Sequence, residues 1–367
     1  MRRTRWRSLA GAALALGLAG APAVASYAAD RPHPHDLYVE PRATLNAPRA
    51  LDIAGLPVGP APAIAYAFAS RPGFGDGNWQ LRRPDGTSLR LPRLTWSVWA
   101  PMGDGAVGMA GTEAGPELQQ VSGTGQVRTR MVDRFGLAVS PGGEMVAWLG
   151  HRGRPHVVEG GGSRHVTMPR VAHARTVAAV WGAETCQEQQ PEGGGCTVLV
   201  NARRHVWVST SHGLVDRIGP MLRVSDVNQQ GRVIGLVSRR TPDPRACWGV
   251  FRADGHRVFR TCGTYLDSFS PDGRRVLAVR TQLRWSSVRR FAILGRHGHV
   301  LRSWTFDPGP HRSLSQLSWE DDHHLLGVLR AHGRWGIVRI GTDGTVEYAG
   351  STVAATDEFT PYDLPRR

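Results

Sequence analysis

The chain contains no lysine: all 45 of its strong bases are arginines, set against 30 carboxylates in 367 residues. A formal net charge of +15 built from one residue type reads first as a compositional bias. The pairs Arg203-Arg204, Arg239-Arg240, Arg274-Arg275 and Arg289-Arg290 are scattered along the chain rather than gathered in one stretch. Charge alone therefore gives no warrant for nucleic-acid binding, although a positive chain favours acidic partners. Other absences narrow the chemistry. No Gly-x-Ser-x-Gly occurs, which removes the local signature of a nucleophile elbow. The nearest approach, Gly161-Gly162-Ser163-Arg164-His165, lacks the closing glycine and falls on an expected hairpin turn. No Cys-x-x-Cys pair occurs, which argues against a four-thiolate zinc site. Beyond residue 25, no segment is long and apolar enough to span a bilayer.

What is present begins with a leader. Arg2, Arg3, Arg5 and Arg7 precede an apolar stretch from Leu9 to Val24, and Ala23-Val24-Ala25 forms a small-residue cleavage site before Ser26. This pattern predicts a secretory signal peptide over residues 1–25, with the product secreted or held in the cell envelope. Removing its four arginines takes the net charge from +15 to +11. Residues 26–50, rich in Pro, Ala and His, read as an extended arm able to cover or complete a ring of blades. Four cysteines in an exported chain imply two disulfides. Cys247 and Cys262 are equidistant from Asp254-Gly255, so a hairpin there sets them opposite each other, provided that its turn is slightly loose. Cys186 and Cys196 bracket the polar insertion QEQQPEGGG and would close it as a loop.

The dominant pattern lies between residues 51 and 350. FSPDGRRVLAV (Phe269 to Val279), VSPGGEMVAWL (Val139 to Leu149) and SWEDDHHLLGV (Ser318 to Val328) each place a tight polar turn between two apolar stretches, which is a hairpin signature. A second turn comes after each of these, as Asp85-Gly86, Asp254-Gly255 or Asp343-Gly344, or in a looser glycine-containing form. Most intervals between these second turns are near forty residues, the period of propeller blades. With 45 glycines and 25 prolines, helical repeats are disfavoured. The expected fold is all-β, a propeller of four-stranded blades, with seven blades favoured and six the alternative. Residues 351–367 carry no repeat and read as a terminal tail.

The segments SPDGRRVLAV (Ser270 to Val279) and GNWQLRRPDGTSLRLP (Gly77 to Pro92) resemble the TolB-like β-propeller repeat, a relative of WD-type repeats. Only Pro271-Asp272-Gly273 is a complete copy of that family's first turn. Pro141-Gly142-Gly143 and Glu320-Asp321-Asp322 depart from it. The resemblance implies the fold without a ligand, since such propellers include translocation-associated binding proteins, peptidase gating domains and sugar-processing enzymes.

Candidate site residues are correspondingly few. Glu320-Asp321-Asp322-His323-His324 reads better as a solvated hairpin than as a metal site, because aspartates support tight turns. His33-Pro34-His35-Asp36 is a weaker metal candidate near the mature N-terminus. Of the twelve tryptophans, Trp99, Trp181 and Trp319 end first strands, and Trp79, Trp248 and Trp335 precede second hairpins, so packing between blades explains them. Trp285 and Trp304 fit neither series. Trp285, in the connection TQLRWSSVRR, together with Arg289 and Arg290, is the expected surface anchor. The sequence thus predicts a noncatalytic, monomeric scaffold that binds a protein or an acidic cell-envelope polymer, with no cofactor, metal or nucleic acid. A propeller hydrolase or lyase with dispersed site residues is the alternative reading, and a glycan-binding module is the third.

Overall fold

A computed structural model describes residues 48–69, 79–91, 96–132, 136–141, 143–159, 164–182, 186, 195–219, 221–239, 246–252, 255–280, 287–356 and 359–365. The two short hairpins in each repeat build one antiparallel four-stranded sheet, and there are seven such sheets. Blade two, for example, runs Trp96–Met102, Gly105–Thr112, Gly115–Val121 and Val127–Met131. Blades three to seven keep the same order, their innermost strands being Leu137–Val139, Ala174–Gly182, Arg223–Val227, Tyr265–Phe269 and Ser313–Trp319. The protein is a seven-bladed β-propeller.

The alternating residues of each blade that do not face solvent pack against the next blade. Seven apolar clusters result, one for each blade-to-blade interface. One runs from Phe291 and Ile293 of blade six to Trp319 and Leu325 of blade seven. Another runs from Leu326 and Ile337 of blade seven to Tyr362 beside blade one, and a third from Leu81 of blade one to Trp99 of blade two. The ring is therefore closed by side chains as well as by strands. Each fully buried Leu, Ile or Phe contributes about 1.5–3 kcal/mol to that closure.

Both ends of the described chain take part. Tyr362–Asp363 pairs antiparallel with Tyr66–Ala69 and supplies the innermost strand of blade one, whose other strands are Trp79–Arg82 and Ser88–Arg90. Near the other end, Arg49–Ala50 adds in parallel to the outer strand of blade six, and Val58–Gly59 adds to that of blade seven. This wrapping segment is tied down by a buried ion network. The Arg339 guanidinium pairs with Glu320 at 2.5 Å and with Glu347, and it also donates to the Pro60 and Ala61 carbonyls. Glu320 in turn accepts the Ala63 N–H. Hydrogen bonding to Glu320 drives the Arg339 pKa upward, against the opposing effect of burial.

The turns show why the sequence pattern works. At Pro271-Asp272-Gly273, Gly273 lies at φ +67°, a left-handed conformation that suits glycine, and its N–H donates to the Ser270 carbonyl at 2.8 Å. The Asp272 carboxylate accepts from the Ser270 hydroxyl and the Arg274 N–H. Both disulfides form as expected. Cys247 and Cys262 are direct cross-strand partners, and a bulge between Val250 and Phe251 loosens the turn beyond them. The Gly263 N–H donates to the Ala246 carbonyl, so hydrogen-bonded pairs flank the cysteines and put them in the closer, non-hydrogen-bonded position, with Cα atoms 4.0 Å apart.

Candidate functional site

Alternating strand directions divide the loops between two faces. The turns joining first to second and third to fourth strands lie on one face. The turns joining second to third strands, together with the connections between blades, lie on the other. Charge is divided the same way. The first face carries Asp85, Asp104, Glu144, Asp272, Asp321, Asp322 and Asp343 along with several arginines. Most of its aspartates are engaged in shaping turns, since Asp85, Asp321 and Asp343 each accept a backbone N–H two residues on, as Asp272 does. The Thr87 hydroxyl first, and its N–H second, hold the Asp85 pKa below the ordinary carboxylate value, and the Thr345 N–H and hydroxyl do the same for Asp343.

The second face is rich in arginine. Its turns hold Arg152 and Arg154 on blade three, Arg203 and Arg204 on blade four, Arg289 and Arg290 on blade six and Arg334 on blade seven. Its blade connections and the strand starts beside them add Arg170, Arg175, Arg223 and Arg312. Glu113 and Asp307 are the carboxylates among the described residues of these same turns and connections. Arg334 donates to the Thr352 hydroxyl and carbonyl, Arg312 lies over the Phe306 ring and Arg152 donates to His151, whereas no such contact is made by Arg175, Arg203, Arg204 or Arg223 among the described residues.

This face holds a cleft of about 900 Å³, counting its solvent-open mouth, where blade four meets blade five. Arg175, Arg203, Arg204 and Arg223 line it. Its floor is fixed by Asn201, which accepts the Val224 N–H at 2.8 Å and donates to the Val224 carbonyl at 3.0 Å, so that one buried amide joins the two blades. Of the residues singled out from sequence, Arg289 is exposed and Arg290 half-buried, both at the start of the third strand of blade six on this arginine-rich face. Trp285 lies outside the described residues, as do Ser163 and the His33-Pro34-His35-Asp36 segment. Sequence reasoning marked the pair Arg203-Arg204 but missed Arg175 and Arg223. The available signal was their position at the start of two successive inner strands.

Other candidates are already committed elsewhere. Trp99, Trp248, Trp319 and Trp335 are buried between blades, and Trp304, unplaced by the repeat, stacks on Phe291 with ring centroids 4.9 Å apart. Glu320 and Asp321 come within metal-ligand reach of His324, yet Glu320 is held by Arg339, and Asp321 by its own turn and by His324 at 2.8 Å. Cys186 and Cys196 lie beside Glu159, but they are bonded to each other and offer no thiolate. In the central channel, Asp226 and Asp267 share a small polar pocket with Ser225, Ser268 and Ser318. Asp226 spends its two oxygens on the N–H groups of Val227 and Phe269, at 2.8 and 2.7 Å. On the outer rim, His156 and His165 stack against Trp148 and share a 2.9 Å hydrogen bond. Burial first, and the His165 and Arg130 charges after it, push the His156 pKa down to about 4.

No helix among the described residues is long and apolar enough to cross a membrane. Neither the protein-family models nor the curated proteins gave a match to this chain. Solved structures gave likenesses of fold alone. Hsv2 of Kluyveromyces lactis shares 9% identity at a TM-score of 0.44, over 76% of this chain and 93% of that one. BamB from Moraxella catarrhalis shares 11% at 0.41, over 79% and 84%. A putative 6-phosphogluconolactonase from Bacteroides uniformis shares 13% at 0.44, over 79% and 96%.

Proposed function

We propose that the protein is a noncatalytic binding scaffold, secreted or held in the cell envelope, that takes an acidic protein or acidic polymer on its arginine-rich face. The observation that carries this reading is the segregation of charge. Among the described residues, one face spends most of its aspartates on turn geometry, while the other presents guanidiniums from five blades. A surface of one sign raises the encounter rate of an oppositely charged partner and suppresses others. Arg289 and Arg290 belong to this face and are assigned here as partner contacts, together with Trp285 in the same connection. Two disulfides suit an oxidising compartment, in keeping with the leader.

The test is binding of residues 26–367 to immobilised polyglutamate across a salt series. Charge reversal at Arg289→Glu/Arg290→Glu should weaken retention at least tenfold, while Arg232→Glu on the opposite face should change it less than twofold. Retention should also fall steeply as salt is raised. Equal retention of the two variants would refute the assignment of the face.

A further inference from the structure

We infer that the cleft between blades four and five is a site for a ligand bearing several phosphate groups. This inference rests on the acid-binding reading of the same face and names the acid. Four guanidiniums reach the cleft from three separate chain segments: Arg175 at the start of one inner strand, Arg203 and Arg204 from a turn, and Arg223 at the start of the next inner strand. Among the described residues, none of the four guanidiniums has a hydrogen-bond or ion-pair partner and no carboxylate lines the cleft. Four like charges around one concavity repel one another, and an anion of three or more charges relieves that repulsion more fully than a single carboxylate does.

Shape selects phosphate among anions. Each guanidinium offers a planar fork of donors, and a carboxylate, with two coplanar oxygens, is largely satisfied by one fork. A phosphate presents oxygens in several directions and accepts more than one fork at once. The cleft has room for more than one phosphate, which points to linked phosphates or a phosphorylated body. Thr176, Leu222 and Leu236 complete the lining. The walls are positioned before any ligand arrives, because the Asn201 amide fixes blade four to blade five.

The experiment is calorimetric titration of residues 26–367 with inorganic tripolyphosphate, and with citrate, which carries about one charge fewer, as a carboxylate control. Long-chain polyphosphate is titrated in parallel to separate a polymeric source from a small soluble one. Tripolyphosphate should bind at one equivalent, at least tenfold more tightly than citrate. Arg203→Ala/Arg204→Ala should weaken it at least tenfold, while Arg232→Ala on the opposite face should leave it within twofold. Tighter binding per chain by the polymer would identify the source as a phosphate polymer, and equal or weaker binding a small ligand; either supports the site. Because the cleft arginines are exposed, the first variant should melt no lower than the parent, which separates lost binding from lost folding. Equal affinity for citrate, or an unchanged cleft variant, would overturn the inference. If polyglutamate retention persists in that case, the acidic-partner reading survives; if both fail, both fall.

Discussion

Replacing Arg339 by methionine should be the most damaging single change in the propeller that leaves its apolar clusters intact. The substitution keeps an unbranched apolar stem but strands Glu320, which is 4% exposed, next to Glu347, and it removes the donor to the Pro60 and Ala61 carbonyls. Breaking a buried pair by removing one partner typically costs about 3–5 kcal/mol. The stranded carboxylate can instead take up a proton, which at pH 7 costs roughly 4 kcal/mol for an ordinary glutamate and sets a ceiling on the loss. That ceiling falls by about 1.4 kcal/mol for each unit of acidification, so the deficit should shrink to roughly 2 kcal/mol near pH 5.5. Urea unfolding of Arg339→Met and the parent at pH 7 and pH 5.5, followed by tryptophan fluorescence, measures both quantities. Adding Glu320→Gln to the variant should recover part of the loss at pH 7 and little at pH 5.5. A deficit below about 1 kcal/mol at pH 7, or one independent of pH, would refute the view that this network fastens the wrapping segment to blade seven.

The second disulfide and the outer-rim histidines give further tests. Cys247→Ala/Cys262→Ala opens a loop with a sequence separation of 15, for which chain entropy predicts a loss of about 3 kcal/mol. Nonreducing peptide mapping of the parent should recover Cys186 with Cys196 and Cys247 with Cys262, and free thiols or crossed pairs would contradict the blade register. For His156, the folded pKa of about 4 lies below the ordinary 6.5, so the unfolded chain takes up a proton first as pH falls. Its contribution is intact above pH 6.5 and is lost progressively towards pH 4. The ring is half-exposed, which reduces the swing from an upper limit of about 3.4 kcal/mol to about 1–2 kcal/mol. His156→Gln should flatten that part of the melting-temperature profile between pH 7 and 4.5, and an unchanged slope would show that the ring does not control it.

Much of the fold was legible because its turns are chemically explicit. Asp-Gly and Pro-Asp-Gly mark hairpins whose spacing gives blades, and the sixth blade expected from the pattern (Tyr265 to Phe269, Arg275 to Arg280, Val288 to Leu294, Val300 to Trp304) differs from the observed strands by at most two residues at any boundary. Cys247–Cys262 was legible because equal offsets from a turn set cross-strand partners, and Cys186–Cys196 because the two bracket a polar insertion. Ring closure was not, because Tyr362–Asp363, Arg49–Ala50 and Val58–Gly59 are two-residue strands, too short to show a period. The cleft was only half visible. Arg203-Arg204 stands out as a pair, but Arg175 and Arg223 join it only once blades four and five are side by side and the direction of each strand is known.

The placement of Tyr362–Asp363 also orders events during biosynthesis. The innermost strand of blade one is encoded almost 300 residues after its partner, Tyr66–Ala69. The first blade to leave the ribosome is thus the last to be completed, and it must wait as an incomplete three-stranded sheet with one unpaired edge. Joining its ends closes a very long loop late and in one step, a delay that favours slow, cooperative maturation over blade-by-blade folding. A chain that cannot finish blade one until Tyr362–Asp363 arrives keeps its ring open, and so remains threadable, until the other six blades have been made.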